Sequence, residues 1–282
     1  MAFDPLSALV ELLAADPGSC FDDPAGQPMY DAPVIGVAAA ADPWFARFQE
    51  IIGPFYWEPQ QVLAMAAPGA IARSVICWSL PISSTARLAN RRETLVPART
   101  WAFVRTFGAE VITRLSQGLV ARLKSLGFAA VAPAILPENV WIEDPRVGIA
   151  TSWSERHTAF VAGLGTFGLS GGLITQHGIA HRLGSVVTDA PLTPTSRPYG
   201  DDPFAWCLQL ARGECGACIS RCPAGSIGET SADRDKFACA HHYGNTVKVR
   251  CEPVFGWKGI YGCGLCQTDV PCEDCNPVES AK

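Results

Sequence analysis

Ten of the chain's twelve cysteines lie in its last third, between Cys207 and Cys275. Three pairs have the spacing Cys-x-x-Cys, at positions 215/218, 263/266 and 272/275, and a proline follows Cys222 directly. Thiolates at this spacing can hold a metal from a single turn of chain, whereas disulfide frameworks belong mainly to small secreted domains. The cysteine pattern therefore predicts metal centres.

The stretch CGACISRCP, residues 215–223, matches the last three cysteines and the proline of the motif C-x2-C-x2-C-x3-C-P, which binds 4Fe–4S clusters. Arg212 stands at the position of the motif's first cysteine. In two-cluster versions of this motif, the cysteine before the proline ligates the other cluster. We therefore expect one cluster on Cys207, Cys215, Cys218 and Cys272, and the other on Cys222, Cys239, Cys263 and Cys266. Cys251 and Cys275 have no assigned role. The alternative is one or two structural zinc sites made from the same pairs.

Charge and hydropathy exclude several broad classes of protein. The net charge is −5, the sequence pI is about 5.6, and basic residues do not cluster, which argues against an extended nucleic-acid surface. The first residues, MAFDPLSALVELLAAD, have no basic start and no long apolar run, so we expect neither a signal peptide nor a membrane span. These features predict a cytoplasmic protein.

The elements that must position the cysteines are predicted upstream of them. Asp4-Pro5 and Asp42-Pro43 are typical of helix starts, and a helical apolar pattern over 100–126 ends before Gly127. The segments APVIGVAAA, SVICWSL, FAAVAPAI and GSVVTD predict strands. The stretch DAPLTPTSRPYGDDP predicts a boundary, which divides the chain into residues 1–195, with alternating strands and helices, and residues 196–282, which hold the clusters.

Two sets of motifs resemble those of a known superfamily. They are SERHTAFVAGLGTFGLSGGLIT with the following GSVVTD, and the cysteine block with DKFACAHHY and YGCGLCQTDVPC. They resemble the epoxyqueuosine reductases and, more distantly, the reductive dehalogenases. The resemblance implies an α+β fold, with an N-terminal nitroreductase-like α/β domain followed by a C-terminal two-cluster ferredoxin-like domain. It also implies that electrons pass through two 4Fe–4S clusters to a cobalamin or a small-molecule substrate.

The chain departs from the reductase pattern at three places. Ile149 stands where the reductases carry an aspartate that donates a proton, and their Gly-Lys-Asn is replaced by Gly168-Leu169-Ser170. The chain also stops soon after its cysteines, without the C-terminal helical repeats that help those enzymes to grip tRNA. We therefore expect a substrate other than tRNA, and an electron donor such as ferredoxin or flavodoxin.

The candidate reaction site lies around the glycine-rich motif. The predicted catalytic residues are Glu155, Arg156 and His181, and the predicted cofactor contacts are Gly163, Gly165, Gly168, Arg182 and Ser185. Each has a structural alternative. Ser152 and Glu155 match a helix capping box, and His157, His177 and His181 could be hydrogen-bonded structural residues. The glycines match G-x-G-x-x-G but follow a predicted helix, so a tight turn is a better interpretation than a dinucleotide site.

Three functional hypotheses follow. The first is an iron–sulfur reductase, with cobalamin as a possible further cofactor, that cleaves or deoxygenates a small organic molecule. The second is an electron-transfer module that serves a partner, for instance to reactivate a corrinoid protein, and carries out no chemistry of its own. The third is a zinc-stabilised binding protein.

Overall fold

The computed structural model describes residues 3–280 and has a mixed α/β fold. A four-stranded antiparallel sheet, in the order β1–β2–β8–β3, lies at its centre, and β4–β5 and β6–β7 form two small hairpins. The strands are β1 (Val34–Ala39), β2 (Ser74–Pro81), β3 (Ala130–Val131), β4 (Trp141–Asp144), β5 (Gly148–Thr151), β6 (Gly165–Phe167), β7 (Leu173–Thr175) and β8 (His181–Thr188).

Helices cover both faces of this sheet. The helices before the cysteine-rich segment are α1 (Pro5–Ala15), α2 (Pro43–Ile52), α3 (Pro59–Ala66), α4 (Ser84–Arg91), α5 (Arg99–Ser125) and α6 (Glu155–Val161). Residues of α2, α3 and α6 share one apolar core with one side of the sheet, and residues of α1, α4 and α5 share a second core with the other side. Because strand side chains alternate, β2 sends Val75 and Cys77 into the first core and Ile76, Trp78 and Leu80 into the second.

The two predicted Asp-Pro helix starts are confirmed. The carboxylates of Asp4 and Asp42 accept hydrogen bonds from the first turns of α1 and α2, and the following proline stands at the first helical position. Proline fits there because a helix leaves its first N–H groups without partners in the helix. The long predicted helix is also confirmed as α5, which ends one residue before Leu126 and is followed by Gly127 at φ +87°.

The cysteine-rich segment is built from short helices joined by turns. They are α7 (Leu208–Arg212), α8 (Ala217–Ser220), α9 (Lys236–His242), a π-helix (Tyr243–Lys248), α10 (Val249–Phe255) and α11 (Pro277–Ser280). Its last turn is bound to the sheet, since the backbone N–H groups of Ile179 and Ala180 donate to the carbonyl oxygens of Cys272 and Glu273 at 2.8 and 3.1 Å.

A buried ion pair also ties this last turn to α4. The carboxylate of Glu273, only 1% exposed, lies 3.1 Å from Arg87 Nη1 and 2.8 Å from Arg91 Nε. It also accepts a hydrogen bond from the backbone N–H of Asp269 at 2.7 Å. Protein contacts therefore hold the segment to the sheet in addition to whatever a metal contributes.

Two local predictions need correction. The strand predicted in FAAVAPAI covers only Ala130–Val131, because Pro133 begins a 3₁₀ turn over Pro133–Ile135. His181 and Arg182 were placed before the GSVVTD strand but are its first two residues. The stretch 189–203 runs beside β1, where Val37 and Thr195 exchange two hydrogen bonds, and the division of the chain after residue 195 stays a prediction.

Within residues 3–280, none of the helices is both long enough and apolar enough to cross a membrane.

Candidate functional site

Four of the predicted cluster ligands line one small apolar cavity. They are Cys207, Cys215, Cys218 and Cys272, and the loop 168–170 closes another side of the cavity. Burial, followed by the neighbouring thiols of Cys207 and Cys215, raises the pKa of Cys218 to about 11. Burial and the same neighbours also raise the pKa of Cys272. These thiols stay protonated in the bare protein, and a bound cation would favour their thiolate forms.

Short turns bring these cysteines to the cavity from separate elements. Cys207 caps the N-terminus of α7. Gly213 caps its C-terminus and adopts a left-handed conformation at φ +72°. Gly216, at φ +137°, then caps the start of α8, which carries Cys218. Residues with a Cβ adopt these φ values rarely, so the two glycines allow the chain to turn twice between Cys207 and Cys218.

The other four predicted ligands form a second group. Burial raises the pKa of Cys266 to about 12; the charge of Arg234 opposes this shift, and the thiols of Cys263, Cys222 and Cys239 add to it. Burial is also the largest cause of the raised pKa of Cys263, which is about 11. The neighbouring thiols of Cys239 and Cys222 raise it further. The sulfur of Cys222 lies 3.3 Å from the hydroxyl of Ser226.

The structure places the four thiols of each predicted ligand set near one another, and their role as cluster ligands stays a prediction. The groups adjoin, because the thiol of Cys222 in the second group also contributes to the raised pKa of Cys218 in the first. Among the described residues, no three His, Cys, Asp or Glu side chains are arranged to hold a single metal ion. Cys251 packs instead beside Ala102 and Tyr261, and Cys275 contacts the carbonyl oxygen of Pro271 at 3.5 Å.

Glu155 is the first residue of α6 and belongs to the predicted reaction site. The predicted capping box is wrong, because the N-cap of α6 is Ser154, not Ser152. Both carboxylate oxygens of Glu155 are buried and lack a hydrogen-bond partner. Burial raises the pKa of Glu155 to about 7, although Ser185 and Trp153 nearby lower it. A carboxyl group with this pKa can either give or take a proton near neutral pH.

Three cations lie close to one another, and one of them directly follows Glu155 in the sequence. Arg156 donates to the carbonyl oxygen of Gly171, Arg234 donates to that of Ser170 at 3.0 Å, and Lys236 donates to that of Ile149 at 3.0 Å. Within residues 3–280, none of the three lies within ion-pair distance of a carboxylate. Burial and the neighbouring Arg234 lower the pKa of Arg156, which shows that these positive charges repel one another.

Two of the nearby histidines, His157 and His181, are kept neutral at pH 7 by burial. Burial lowers the pKa of His157 to about 3 and that of His181 to about 4. The ring of His181 donates from Nε2 to the carbonyl oxygen of Leu173 at 2.7 Å, which leaves Nδ1 as a buried acceptor without a partner. His157 contacts the hydroxyl of Ser154 at 2.7 Å through Nδ1. His177 lies in the turn after β7, where its backbone N–H donates to Thr175.

Strand β8 separates two residues that the sequence placed together. His181 and Ser185 are four residues apart, so their side chains share the sheet face that α6 covers, and the indole of Trp153 donates to Ser185 Oγ at 3.0 Å. Arg182 lies between them in sequence and points to the opposite face, which α5 covers. Among the predicted residues, Glu155, Arg156, His181 and Ser185 therefore share one side of the sheet, and Arg182 does not.

The three motif glycines have different surroundings. A Cβ at Gly163 would lie 2.5 Å from the carbonyl oxygen of Ser196, and one at Gly165 would lie 2.1 Å from that of Ile174. The space beside these two residues is therefore filled by the protein's own backbone. Gly168 lines the cavity of the first cysteine group. Contacts from these glycines to a cofactor stay a prediction.

Sequence reasoning missed several residues that lie near this site. Arg234 and Lys236 precede Cys239 in the stretch DRDKFACAHH, and a basic pair beside a cysteine ligand was the signal that could have indicated them. Trp153 carries no such signal, because buried aromatic residues are most often simply core.

Comparison with known proteins indicates the fold to which this site belongs. No family model matches the sequence, and no curated protein matches it. Among solved structures, a selenomethionine-labelled epoxyqueuosine reductase aligns with a TM-score of 0.52 and 20% identity, over 95% of this chain and 65% of that one. Epoxyqueuosine reductase from Bacillus subtilis, with its catalytic aspartate loop swung out of the active site, aligns with a TM-score of 0.50 and 19% identity, over 96% and 66%.

The catabolic reductive dehalogenase NpRdhA in complex with 3-bromo-4-hydroxybenzoic acid also aligns. Its TM-score is 0.52 and its identity 13%, over 98% of this chain and 37% of the dehalogenase. The chain has the fold shared by epoxyqueuosine reductases and reductive dehalogenases. This confirms the resemblance found in the sequence motifs.

The chain spans just under two thirds of the epoxyqueuosine reductases and little more than a third of the dehalogenase. The comparisons do not support the expectation that tRNA is excluded as a substrate, because epoxyqueuosine reductases are among the matches.

Proposed function

We propose that this protein is an iron–sulfur reductase that takes electrons from a ferredoxin or flavodoxin and reductively cleaves or deoxygenates a small organic molecule. The observation that carries the proposal is the pair of adjoining four-cysteine groups in a chain that also holds a buried carboxyl group at Glu155. In this proposal residues 1–195 form a nitroreductase-like domain that holds the substrate. Residues 196–282 form a ferredoxin-like domain that delivers the electrons.

The donor set fits two 4Fe–4S clusters. Each cluster requires four thiolates, and each group supplies four from neighbouring turns. Bound clusters would supply one-electron transfer, and a corrinoid at the reaction site would supply a cobalt ion that can be strongly reduced. Arg156, Arg234 and Lys236 offer donors that suit either the amide and phosphate groups of a corrinoid or an anionic substrate.

The residues of the reaction site have separate parts in this proposal. Glu155 holds a proton, because its buried carboxyl has a pKa of about 7 and no competing partner. The neighbouring cations attract negative charge that develops on a leaving group. His181 accepts a hydrogen bond through Nδ1, since the carbonyl oxygen of Leu173 keeps the proton on Nε2. Glu155 would thus take the part that an aspartate plays in the reductases, where this chain has Ile149.

Anaerobic reconstitution tests the proposal. The protein is loaded with iron and sulfide, reduced, and titrated with cobalamin while absorption and electron paramagnetic resonance spectra are recorded. Spectra of two reducible clusters, one of them lost in Cys215→Ser but neither in Cys275→Ser, would support it. A reconstituted protein without reducible iron would contradict the reductase, and an unchanged cobalamin spectrum would remove the corrinoid alone.

The second candidate function is electron transfer to a partner. Cys215 is exposed at the surface, so the first cysteine group lies where a docked protein could exchange electrons with it. Under this alternative, reduced protein passes electrons to an oxidised corrinoid protein and turns over no small molecule. Stopped-flow mixing with such a partner distinguishes the two functions.

A further inference from the structure

The α5 side of the sheet contains two cations that the proposed reaction does not use. Arg182 reaches this side from β8, because it alternates with His181 and Leu183 along the strand. Arg105 reaches it from α5. Within residues 3–280, neither guanidinium lies within ion-pair distance of a carboxylate. The sheet separates both from Glu155.

A tyrosine hydroxyl faces the same place. Tyr30 is 5% exposed, and its hydroxyl is buried without a hydrogen-bond partner, as is Nε of Arg182. The hydroxyl packs against α5 at Gly108, where a Cβ would lie 2.1 Å from it. Gly108 is one helical turn from Arg105, so the hydroxyl and the Arg105 side chain lie on the same side of α5. Three donors from different elements therefore converge here.

The electrostatics show that positive charge is uncompensated at this place. The charge of Arg182 is the largest cause that lowers the pKa of Arg105, to about 9, and burial is the second. Besides each other, the two arginines face the phenols of Tyr30 and Tyr243. The carboxylate of Asp16, whose charge raises the pKa of Tyr30, is already bound by Arg114 at 2.7 and 2.9 Å.

We propose that Arg105, Arg182 and the hydroxyl of Tyr30 form a binding site for a small oxyanion, either free phosphate or sulfate or the phosphate or carboxylate group of a larger ligand. Two neighbouring half-buried cations are costly unless an anion joins them. Arginine forks and a hydroxyl are donors whose geometry suits the oxygens of a phosphate or carboxylate.

The site lies close to the second cysteine group. A Cβ at Gly262 would lie 2.5 Å from Cγ of Arg105, so this arginine packs against the residue that precedes Cys263. An anion bound here would sit beside the electron-carrying segment, on the side of the sheet away from the substrate. Its binding does not depend on the reductase proposal, because no residue of the reaction site around Glu155 takes part.

Thermal unfolding in the presence of inorganic phosphate tests the site. The cluster-loaded protein is heated anaerobically in phosphate and in chloride of equal ionic strength, because a ligand that binds only the folded state raises Tm. We expect a saturable rise of several degrees in phosphate, which Arg105→Gln and Arg182→Gln lose and Tyr30→Phe reduces. Arg47→Gln, an exposed arginine on α2, is the control and should keep the rise.

The stability of the same variants in chloride gives a second test. In chloride alone, Arg105→Gln should be at least as stable as the wild type, because it removes one of two neighbouring half-buried charges. An equal shift in phosphate and chloride, or a phosphate shift that survives both arginine substitutions, would overturn the proposal. Should the variants fail to fold, calorimetric titration of the wild type with phosphate decides the matter, since the absence of saturable binding also refutes the site.

Discussion

Glu155 provides the most specific prediction about the reaction site. Its carboxyl has a reference pKa of 4.5 and, mainly because of burial, a pKa of about 7 in the folded protein. This difference in pKa corresponds to a change of about 3 kcal/mol in the free energy of unfolding between low and high pH. Because the folded protein binds this proton more tightly than the unfolded chain, the associated stability is fully present below pH 4.5. It is lost as the pH rises through about 7.

Glu155→Gln keeps the shape of the protonated carboxyl and cannot ionise. At pH 4.5 the variant and the wild type should therefore be about equally stable, and at pH 8 the variant should be more stable by up to about 3 kcal/mol. Anaerobic calorimetry of the two proteins measures this difference, in which contributions from other groups cancel. Infrared difference spectra give an independent test through the C=O band of the protonated acid.

The matched control is Glu143→Gln, which removes an exposed carboxyl on β4. The infrared band that titrates near pH 7 should vanish in Glu155→Gln and persist in Glu143→Gln. A stability difference that is the same at pH 4.5 and pH 8 would refute the reasoning, and so would a Glu155 band that titrates near pH 4.5. Either result would mean that water or a partner solvates the carboxylate in the folded protein.

Three further substitutions test other parts of the account. Glu273→Gln should lower the free energy of unfolding by about 3–5 kcal/mol, because it breaks a buried ion pair with two arginines. Chemical denaturation under anaerobic conditions measures this loss, and a loss below about 1 kcal/mol would contradict the prediction. Cys207→Ser should lower the iron content from about eight to about four atoms per chain, whereas Cys251→Ala should keep it near eight, as metal analysis can show; equal iron loss in both would contradict the grouping. Gly108→Ala should destabilise the protein by about 1–3 kcal/mol, because the new Cβ would clash with the Tyr30 hydroxyl. Adding Tyr30→Phe in a double variant should restore much of the lost stability, and no recovery would show that the clash lies elsewhere.

Local signals in the sequence predicted much of the framework. Asp-Pro pairs act within one turn of helix, so Asp4 and Asp42 could be recognised as caps without knowledge of the fold. The spacing of the cysteines likewise reflects short turns, although their division into two ligand sets stays a prediction. The apolar period of the long helix predicted its core side, although Leu126, which was included in that pattern, lies beyond the helix and is 54% exposed.

Features that depend on tertiary contacts escaped the sequence. Both His181 and Arg182 were assigned to one candidate site from the sequence, but strand alternation sends them to opposite faces once β8 begins at His181. The motif S-x-x-E suggested Ser152 as a cap, whereas the helix begins two residues later and leaves the Glu155 carboxyl buried. Lys236 reaches the carbonyl oxygen of Ile149 across 87 residues of chain, a contact that no local pattern encodes.

Metal analysis of protein isolated without oxygen tests the central claim most directly. Two four-cysteine groups that each hold a 4Fe–4S cluster require brown protein with about eight iron atoms and eight sulfides per chain, and with little zinc. Colourless protein with one or two zinc ions per chain would contradict the account, because the same thiols would then hold a structural metal and could not conduct electrons.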